Sequence, residues 1–207
     1  MLKAKHHFII HPFFQYYTRY LLKRRFNSIN LNSEVKTDHR PVLLISNHTS
    51  WWDGFWVMYI NLIVLHKKFH FMMLEDQLRK FWFFNYTGGF SVNKNSKSII
   101  QTLKYTSELL TDTNNMVLIF PQGEIQSSHN QNIKFQKGIE RVLNDTPNSI
   151  QVVFQVNLLD YFSSPKPGIY FYLKEYTEQV HDLKSIETAY NSFYKSALDK
   201  QYLQKEL

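Results

Sequence analysis

Short strand-like runs alternate with helical segments along the whole chain, and this alternation restricts the fold more than any other feature. Strands are predicted where β-branched, aliphatic and aromatic residues form short runs: near 27–35 and at 41–46, 69–74, 90–92, 115–120, 150–159 and 169–176. Helices are predicted where apolar residues recur at helical spacing: 54–65, 77–86, 96–110, 134–144 and 183–207. No internal repeat or linker divides the 207 residues, so we expect an α/β fold with one layered sheet flanked by helices.

The N-terminal segment differs from the rest of the chain in charge. Residues 1–33 contain no acidic side chain and supply +6 of the net charge of +7, through Lys3, Lys5, Arg19, Lys23, Arg24 and Arg25. Large aromatic and aliphatic side chains lie between these cations, and Pro12 is expected to begin or kink a helix there. Such a mixture is typical of an amphipathic helix in an anionic membrane interface.

We therefore expect residues 1–28 to form a membrane-interface helical segment and residues 29–207 to form the α/β domain. No stretch reaches the roughly 18 apolar residues that span a bilayer, so peripheral binding at the cytoplasmic face of a membrane is expected. The alternative is a basic helix that packs on the domain and exposes its charged face to solvent. Nucleic acid is not expected as a partner, because these cations are mixed with too many large aliphatic residues. No signal peptide is indicated.

The most informative motif for chemistry is the sequence NHTSWWDG at 47–54. It joins the predicted buried strand 41–46 to the predicted helix 54–65, so His48 is expected in a strand-to-helix turn, where open α/β sheets carry their sites. A histidine can accept a proton near neutral pH, and a carboxylate can fix its tautomer and stabilise the imidazolium. Residues five apart lie on different faces of a helix, so His48 and Asp53 meet only if His48 lies outside it.

Three motifs, in this order, resemble those of glycerolipid acyltransferases of the lysophosphatidic-acid acyltransferase type, over about residues 29–157. The first, at 47–53, matches Asn-His-x-Ser-x-x-Asp at every defined position. The second, GGFSVNK at 88–94, is similar to a glycine-rich turn that leads to Phe and a basic residue, with Lys94 in place of the usual Arg. The third, FPQGE at 120–124, is similar to Phe-Pro-Glu-Gly-Thr, and FQKGI at 135–139 resembles the segment that follows it.

The resemblance implies transfer of a fatty acyl group from acyl-CoA or acyl-carrier protein to a hydroxyl of a membrane lipid. His48 is then the general base, and Asp53 orients it. The matching positions are assigned to substrate binding: Asn47, Ser50, Gly89, Lys94, Phe120, Pro121, Gln122, Gly123 and Glu124. Lys94 would pair with a phosphate of the acceptor or of CoA, and backbone N–H groups at 47–50 or 120–124 would stabilise the oxyanion.

The implied reaction needs no cofactor and no metal. The chain has no cysteine, which excludes disulfides and a cysteine acyl-enzyme, and it has no Gly-x-Ser-x-Gly elbow of a serine acyl-enzyme. Direct attack of the acceptor hydroxyl on the thioester, assisted by a base, is the route that remains. The pairs His7/His11 and His66/His70 have the spacing of metal ligands on a helix, but no third ligand is evident for either.

The third motif departs from the family at two positions. Gln122 stands where the family has a carboxylate, Glu124 stands where it has threonine, and no arginine follows. Glutamine keeps a hydrogen-bond acceptor without the charge, whereas Glu124 would repel the acceptor phosphate that the family holds near these positions. The resemblance implies a lysophospholipid acceptor, whereas these departures favour a less anionic lipid or glycolipid over lysophosphatidic acid.

The aromatic run FWFF at 81–84 cannot place every ring on one face of a helix. Some rings are expected in the membrane interface or along an acyl-chain slot; core packing is the alternative, as it is for the tryptophans at 51, 52 and 56. Two other functions stay open. One is a non-catalytic membrane-binding module of the same fold, which the presence of both His48 and Asp53 disfavours; the other is a thioesterase that releases free fatty acid.

Overall fold

The computed structural model describes residues 1–93, 96–146, 150–178 and 182–205. Its strands are β1 (Ser28–Ser33), β2 (Val42–Ser46), β3 (Lys68–Leu74), β4 (Gly89–Val92), β5 (Asn115–Ile119), β6 (Gln151–Asp160) and β7 (Gly168–Tyr176). Its α-helices are α1 (Ile10–Arg25), α2 (Asp53–Ile60), α3 (Glu75–Lys80), α4 (Ser96–Leu109), α5 (Gly138–Asp145) and α6 (Leu183–Tyr202). A π-helical turn, Asn61–Leu65, extends α2, and a 3₁₀ turn, Trp82–Tyr86, follows α3.

The strands form one sheet in the order β1-β7-β6-β2-β5-β3-β4. The five strands β6, β2, β5, β3 and β4 are parallel, β7 is antiparallel to β6, and β1 is parallel to β7. In the centre of the sheet, Leu43 of β2 pairs with Val117 of β5 and Val152 of β6. Because parallel strands end at the same edge, the loops that follow β2, β5 and β6 meet there.

Helices cover both faces of this sheet, so alternate residues of its central strands enter two different cores. Leu43 and Ile45 lie in the core formed with α5 and α6. Val42 and Leu44 lie in the core formed with α2 and the end of α1. The predicted α/β fold, one layered sheet flanked by helices, is confirmed.

The N-terminal residues lie along the edge of the sheet. The N–H of Ser91 donates to the carbonyl of Leu2, and the N–H of Gly88 donates to the carbonyl of Lys5. These bonds cover β4, the edge strand, which would otherwise present unpaired backbone groups. Pro12 falls in the first turn of α1, where the absent N–H removes no helical hydrogen bond.

Helix α1 is two-sided. Thr18, Leu21 and Leu22 are buried against the domain, while Phe13 and Tyr16 are exposed. The helix thus packs on the domain through one face and presents aromatic rings on the other. None of the helices within the described residues combines the length and the apolar composition that a bilayer-spanning segment needs. The division of the chain at residue 28 stays a prediction.

Three predicted helices are wrong in extent. The helix expected at 183–207 ends at Tyr202, and residues 206–207 lie outside the described residues. The helix expected at 77–86 ends at Lys80, and Phe81 (φ −107°, ψ 56°) separates it from the 3₁₀ turn. This break lets Phe84 enter the core while Trp82 stays exposed. The helix expected at 134–144 begins only at Gly138, because the extended residues before it are bonded elsewhere: the N–H of Gln136 donates to the carbonyl of Pro121.

Candidate active site

His48 and Asp53 lie in the turn between β2 and α2, at the edge where the parallel strands end. His48 is outside the helix and Asp53 is its first residue, so the two side chains meet despite their spacing of five. His48 Nδ1 lies 2.8 Å from Asp53 Oδ2. A carboxylate oxygen only accepts, so Nδ1 carries the proton and Nε2 is left as the basic nitrogen. Within the described residues Nε2 has no partner, and the side chain is 20% exposed.

The carboxylate of Asp53 is held by backbone N–H groups of the turn between β2 and α2. Its Oδ2 also accepts from the N–H groups of Thr49, at 2.7 Å, and Ser50, at 2.9 Å. The side chain is fully buried, and this burial raises the pKa of Asp53, whereas the hydrogen bond from His48 and those from the backbone oppose the rise. The N-terminus of α2 also favours negative charge at this position.

The turn after β5 holds the main chain and the ring of His48. Gln122 Oε1 accepts from the N–H of His48 at 2.7 Å, and the N–H of Gln126 donates to the His48 carbonyl at 2.9 Å. The imidazole stacks on the ring of Phe120, with centroids 3.9 Å apart and an interplanar angle of 8°. Gly123, with φ at +71°, supplies the left-handed conformation that closes the turn. Sequence reasoning placed Gln122 among the substrate contacts, but its buried amide holds His48.

The backbone N–H groups at 47–50 and at 120–124, both predicted as oxyanion donors, differ in whether they are already hydrogen-bonded. The N–H groups of His48, Thr49 and Ser50 are all bonded, to Gln122 and to Asp53. In the turn after β5, the N–H of Glu124 has no acceptor among the described residues. Of these four N–H groups, only that of Glu124 is therefore available to donate to a developing oxyanion.

An apolar cavity of about 460 Å³ opens beside His48. Its walls are mostly aromatic and sulfur-containing side chains, including Phe14, Phe55, Met58, Phe71, Met73 and Phe84. His48, Phe120 and Glu124 also line it, so the histidine of the His48–Asp53 pair borders a space of the size and polarity that suit an apolar ligand. Phe84 lines this cavity and also packs in the core. Its position therefore agrees with two of the alternatives for the aromatic run, an acyl-chain slot and core packing.

A second cavity, of about 640 Å³, borders the same turn through Ser50 and Trp52. It is lined by three cations, Arg24, Arg25 and Lys166, and shares no lining residue with the apolar cavity. Arg25 and Lys166 are distant in sequence, and the charge of residues 1–33 is predicted to face a membrane surface or solvent. No pattern in the sequence predicts that the β6–β7 turn meets the end of α1.

Comparisons with known proteins show the family and the fold. A family model described as Acyltransferase matches residues 28–155. The chain belongs to the acyltransferase family. Among solved structures, the crystal structure of the 1-acyl-sn-glycerophosphate (LPA) acyltransferase PlsC from Thermotoga maritima is similar, with a TM-score of 0.58 and 12% identity. The match covers 93% of this chain and 80% of that chain, and at such identity it shows the fold. No curated protein matches.

The remaining predicted site residues of this acyltransferase have mostly structural contacts. Asn47 is buried, and its amide exchanges two hydrogen bonds with the backbone of Asn157, at 2.9 and 3.1 Å. Gly89 is buried in β4, where an added Cβ would lie 2.7 Å from the carbonyl oxygen of Phe84. The hydroxyl of Ser50 accepts from the N–H of Trp52 at 3.1 Å.

Of two further predicted residues, one has a structural contact and the other is not described. Pro121 is buried, and its carbonyl accepts from Gln136. Lys94 lies outside the described residues. Substrate contact by the predicted set stays a prediction; the structure places Phe120, Gly123 and Glu124, of these residues, on the wall of the apolar cavity.

The histidines are arranged differently from the predicted pairs. His66 ends the helical turn with φ at 54° and His70 lies in β3, so the helical spacing predicted for this pair is wrong. The structure instead brings His6 against both His11 and His70, with ring centroids 4.9 Å apart in each case. Burial lowers the pKa of His6 and of His70 to about 4. No group of three potential ligands in the described chain is arranged to hold a metal ion.

Proposed function

We propose that this acyltransferase moves a fatty acyl group from acyl-CoA or acyl-carrier protein to a hydroxyl of a membrane lipid. One observation carries the proposal: His48, whose Nδ1 is held by Asp53 and whose Nε2 has no partner among the described residues, lines an apolar cavity. A general base next to an apolar space is what acyl transfer to a hydroxyl requires.

The steps follow from these positions. The acceptor hydroxyl gives its proton to His48 Nε2 as its oxygen attacks the thioester carbonyl carbon. The N–H of Glu124 donates to the oxyanion that forms. The tetrahedral intermediate then expels the thiolate, which takes the proton from the imidazolium, so the base is restored and an ester is made. Asp53 holds the ring and balances its charge throughout.

The apolar cavity is proposed to hold the acyl chain. Each methylene removed from water contributes about 0.8 kcal/mol, so a fatty chain gains most of its affinity from walls of this kind. The same walls exclude water from the thioester, which favours a lipid hydroxyl over hydrolysis.

The acceptor is proposed to be a lysophospholipid or a less anionic lipid. Gln122 is occupied by the His48 main chain, so its lack of charge carries no information about the acceptor. Glu124 does line the apolar cavity, and its carboxylate disfavours a phosphate placed beside it. Only Glu124 therefore supports a less anionic acceptor.

The exposed face of α1 supports peripheral binding to an anionic membrane surface, at its cytoplasmic side. Phe13, Tyr16 and Tyr20 are exposed there, and Arg19 and Lys23 lie among them. Rings of this kind insert among lipid headgroups while the cations attract anionic lipids.

Vesicle sedimentation tests this surface. A Phe13→Ser/Tyr16→Ser double variant should bind anionic vesicles at least about 10-fold more weakly, because each ring contributes roughly 1.5–3 kcal/mol on burial. The matched control is Tyr202→Ser, since Tyr202 is an exposed aromatic residue of α6, on the other side of the sheet. Equal binding by both variants would contradict the assignment of α1.

Labelled donors test the reaction. The protein and its His48→Ala variant are incubated with labelled acyl-CoA or acyl-carrier protein and a total lipid extract, and labelled lipids are identified by mass spectrometry. We expect label in a lipid with the unaltered protein and a decrease of about 10²–10⁴-fold with His48→Ala. Label in free fatty acid would indicate a thioesterase. No transfer from either donor, with vesicle binding intact, would indicate a non-catalytic module.

A further inference from the structure

The second cavity, which we call the basic cavity, combines three cations with aromatic walls beside the catalytic turn. Arg24 and Arg25 come from the last turn of α1, and Lys166 comes from the turn between β6 and β7. Trp52 and Trp56 form part of the wall. Three elements far apart in sequence therefore converge on one concave surface.

Within the part of the chain that the structure describes, the cations of the basic cavity have no counterion. Of the carboxylates that the structure describes, none forms an ion pair with Arg24, Arg25 or Lys166. Arg24 donates to the hydroxyl of Tyr20 at 2.6 Å, which fixes its position without removing its charge. The guanidinium of Arg25 and the ammonium of Lys166 have no hydrogen-bond partner among the described residues. Clustered like charges without counterions favour the binding of an anion.

The position of the basic cavity relates it to the reaction. Ser50 and Trp52 line this cavity, while His48, Trp51 and Gly54 line the apolar one, so residues of one short turn contribute to both. Glu124 lines the apolar cavity only. An anionic group in the basic cavity thus approaches the catalytic turn away from the Glu124 carboxylate.

We propose that the basic cavity binds a phosphate group of a substrate, with Arg25 and Lys166 as the residues that hold it. This inference rests on the proposed acyl transfer, since it assigns the cavity to one of the two substrates of that reaction. Arginine offers a planar fork of donors to phosphate oxygens and lysine offers a compact charge, and both match a phosphate ester or diester. The phosphate belongs either to the headgroup of a lysophospholipid acceptor or to the CoA or phosphopantetheine of the donor.

Direct binding tests the site without turnover. In a His48→Ala background, equilibrium dialysis measures the affinity for three probes: lysophosphatidic acid, CoA and a monoacylglycerol of the same chain length that has no phosphate. The test variant is Arg25→Gln/Lys166→Gln. The matched control is Lys195→Gln, because Lys195 is exposed on α6 across the sheet.

We expect the test variant to lose about 10-fold in affinity for each cation removed, for a phosphate-bearing probe and not for the monoacylglycerol. A loss with lysophosphatidic acid alone assigns the cavity to the acceptor, and a loss with CoA alone assigns it to the donor. Unchanged affinity for both, or an equal loss for the monoacylglycerol, overturns the proposal. The measurement needs no catalysis, so a failure of the proposed transferase activity would be seen separately, in the labelled-donor assay.

Discussion

At the scale of single residues, burial of Asp53 and the hydrogen bonds to its carboxylate act in opposite directions on its ionised form. Its Oδ2 accepts three hydrogen bonds, while its buried Oδ1 has no partner within the described residues. Burial raises the pKa of this carboxyl, so the ionised form that orients His48 is held at some loss of stability. Catalysis and stability therefore favour different side chains at this position.

The Asp53→Asn variant separates the two requirements. Asparagine still accepts from the N–H groups of Thr49 and Ser50 but cannot balance an imidazolium, so kcat should fall about 10³–10⁴-fold. The midpoint of thermal unfolding should not fall, because an ionised buried carboxylate is removed. Single-turnover kinetics and calorimetry check both. A parallel decrease in kcat and in the unfolding midpoint would show that Asp53 acts through the fold.

Gln122 is expected to act by positioning His48. Gln122→Leu leaves the buried N–H of His48 without an acceptor, which should lower the free energy of unfolding by about 1–3 kcal/mol and reduce kcat more than it changes KM. Gln122→Glu keeps the acceptor and should retain more activity than the leucine variant. Steady-state kinetics of the two variants provide the comparison. A change in acceptor KM alone would instead indicate substrate contact.

At the scale of elements, the strap of residues 1–7 and the strands β3 and β4 form one packed corner. Gly88 has φ at +104°, and a Cβ there would lie 2.0 Å from the carbonyl oxygen of Phe69 and 2.8 Å from His6 Nε2. The approach of the N-terminal residues to the sheet therefore depends on a residue without a side chain. Gly54, in the first turn of α2, has no atom within 4 Å of an added Cβ.

These two glycines form a matched pair. Gly88→Ala should lower the free energy of unfolding by about 1–3 kcal/mol or more, because backbone atoms must shift to admit the methyl group. Gly54→Ala should be neutral or stabilise by up to about 1 kcal/mol through its helix propensity. Urea unfolding gives both values. Similar stability of the two variants would contradict the packing of this corner.

For the whole molecule, the contact between the N-terminal strap and the sheet depends on neutral histidines. The Nε2–H of His6 donates to the carbonyl of Phe69, at 2.9 Å, and the His6 ring packs against His70. Burial comes first among the causes that lower the pKa of each to about 4, from 6.5 in the unfolded chain. For His6, the carbonyl of Phe69 opposes this lowering of the pKa, while His70, His11 and Lys68 add to it. For His70, Asn115 and Asp112 oppose the lowering, while Lys68 and His11 add to it.

Stability should consequently depend on pH in a defined interval. Below pH 6.5 the unfolded chain binds protons that the folded chain does not, so the free energy of unfolding should fall as the pH is lowered from 6.5 to 4. A His6→Gln/His70→Gln variant should show a smaller fall over this interval, and the exposed His39→Gln control should not. Urea unfolding at several pH values measures this fall in the free energy of unfolding. An unchanged slope in the double variant would exclude these histidines as its cause.

Features that depend on neighbours along the chain can be predicted from the sequence. The alternation of runs such as 41–46 with helical segments predicts the α/β fold, since periodicity reports which face of each element is buried. The meeting of His48 with Asp53 follows from a turn of a few residues between β2 and α2. The three motifs, which follow one another in a fixed order, predicted the family that the comparison confirmed.

Contacts made across the sheet depend on the order and packing of the strands, which the sequence pattern does not reveal. Gln122 reaches His48 over 74 positions because β2 and β5 are adjacent, an order that local spacing does not encode. The same is true of Arg25 beside Lys166 and of His6 beside His70. The break in the helix at Phe81 likewise depends on which rings of the run 81–84 pack in the core. Strand order and packing are collective outcomes of the whole chain, so such contacts appear only when all the elements are in place.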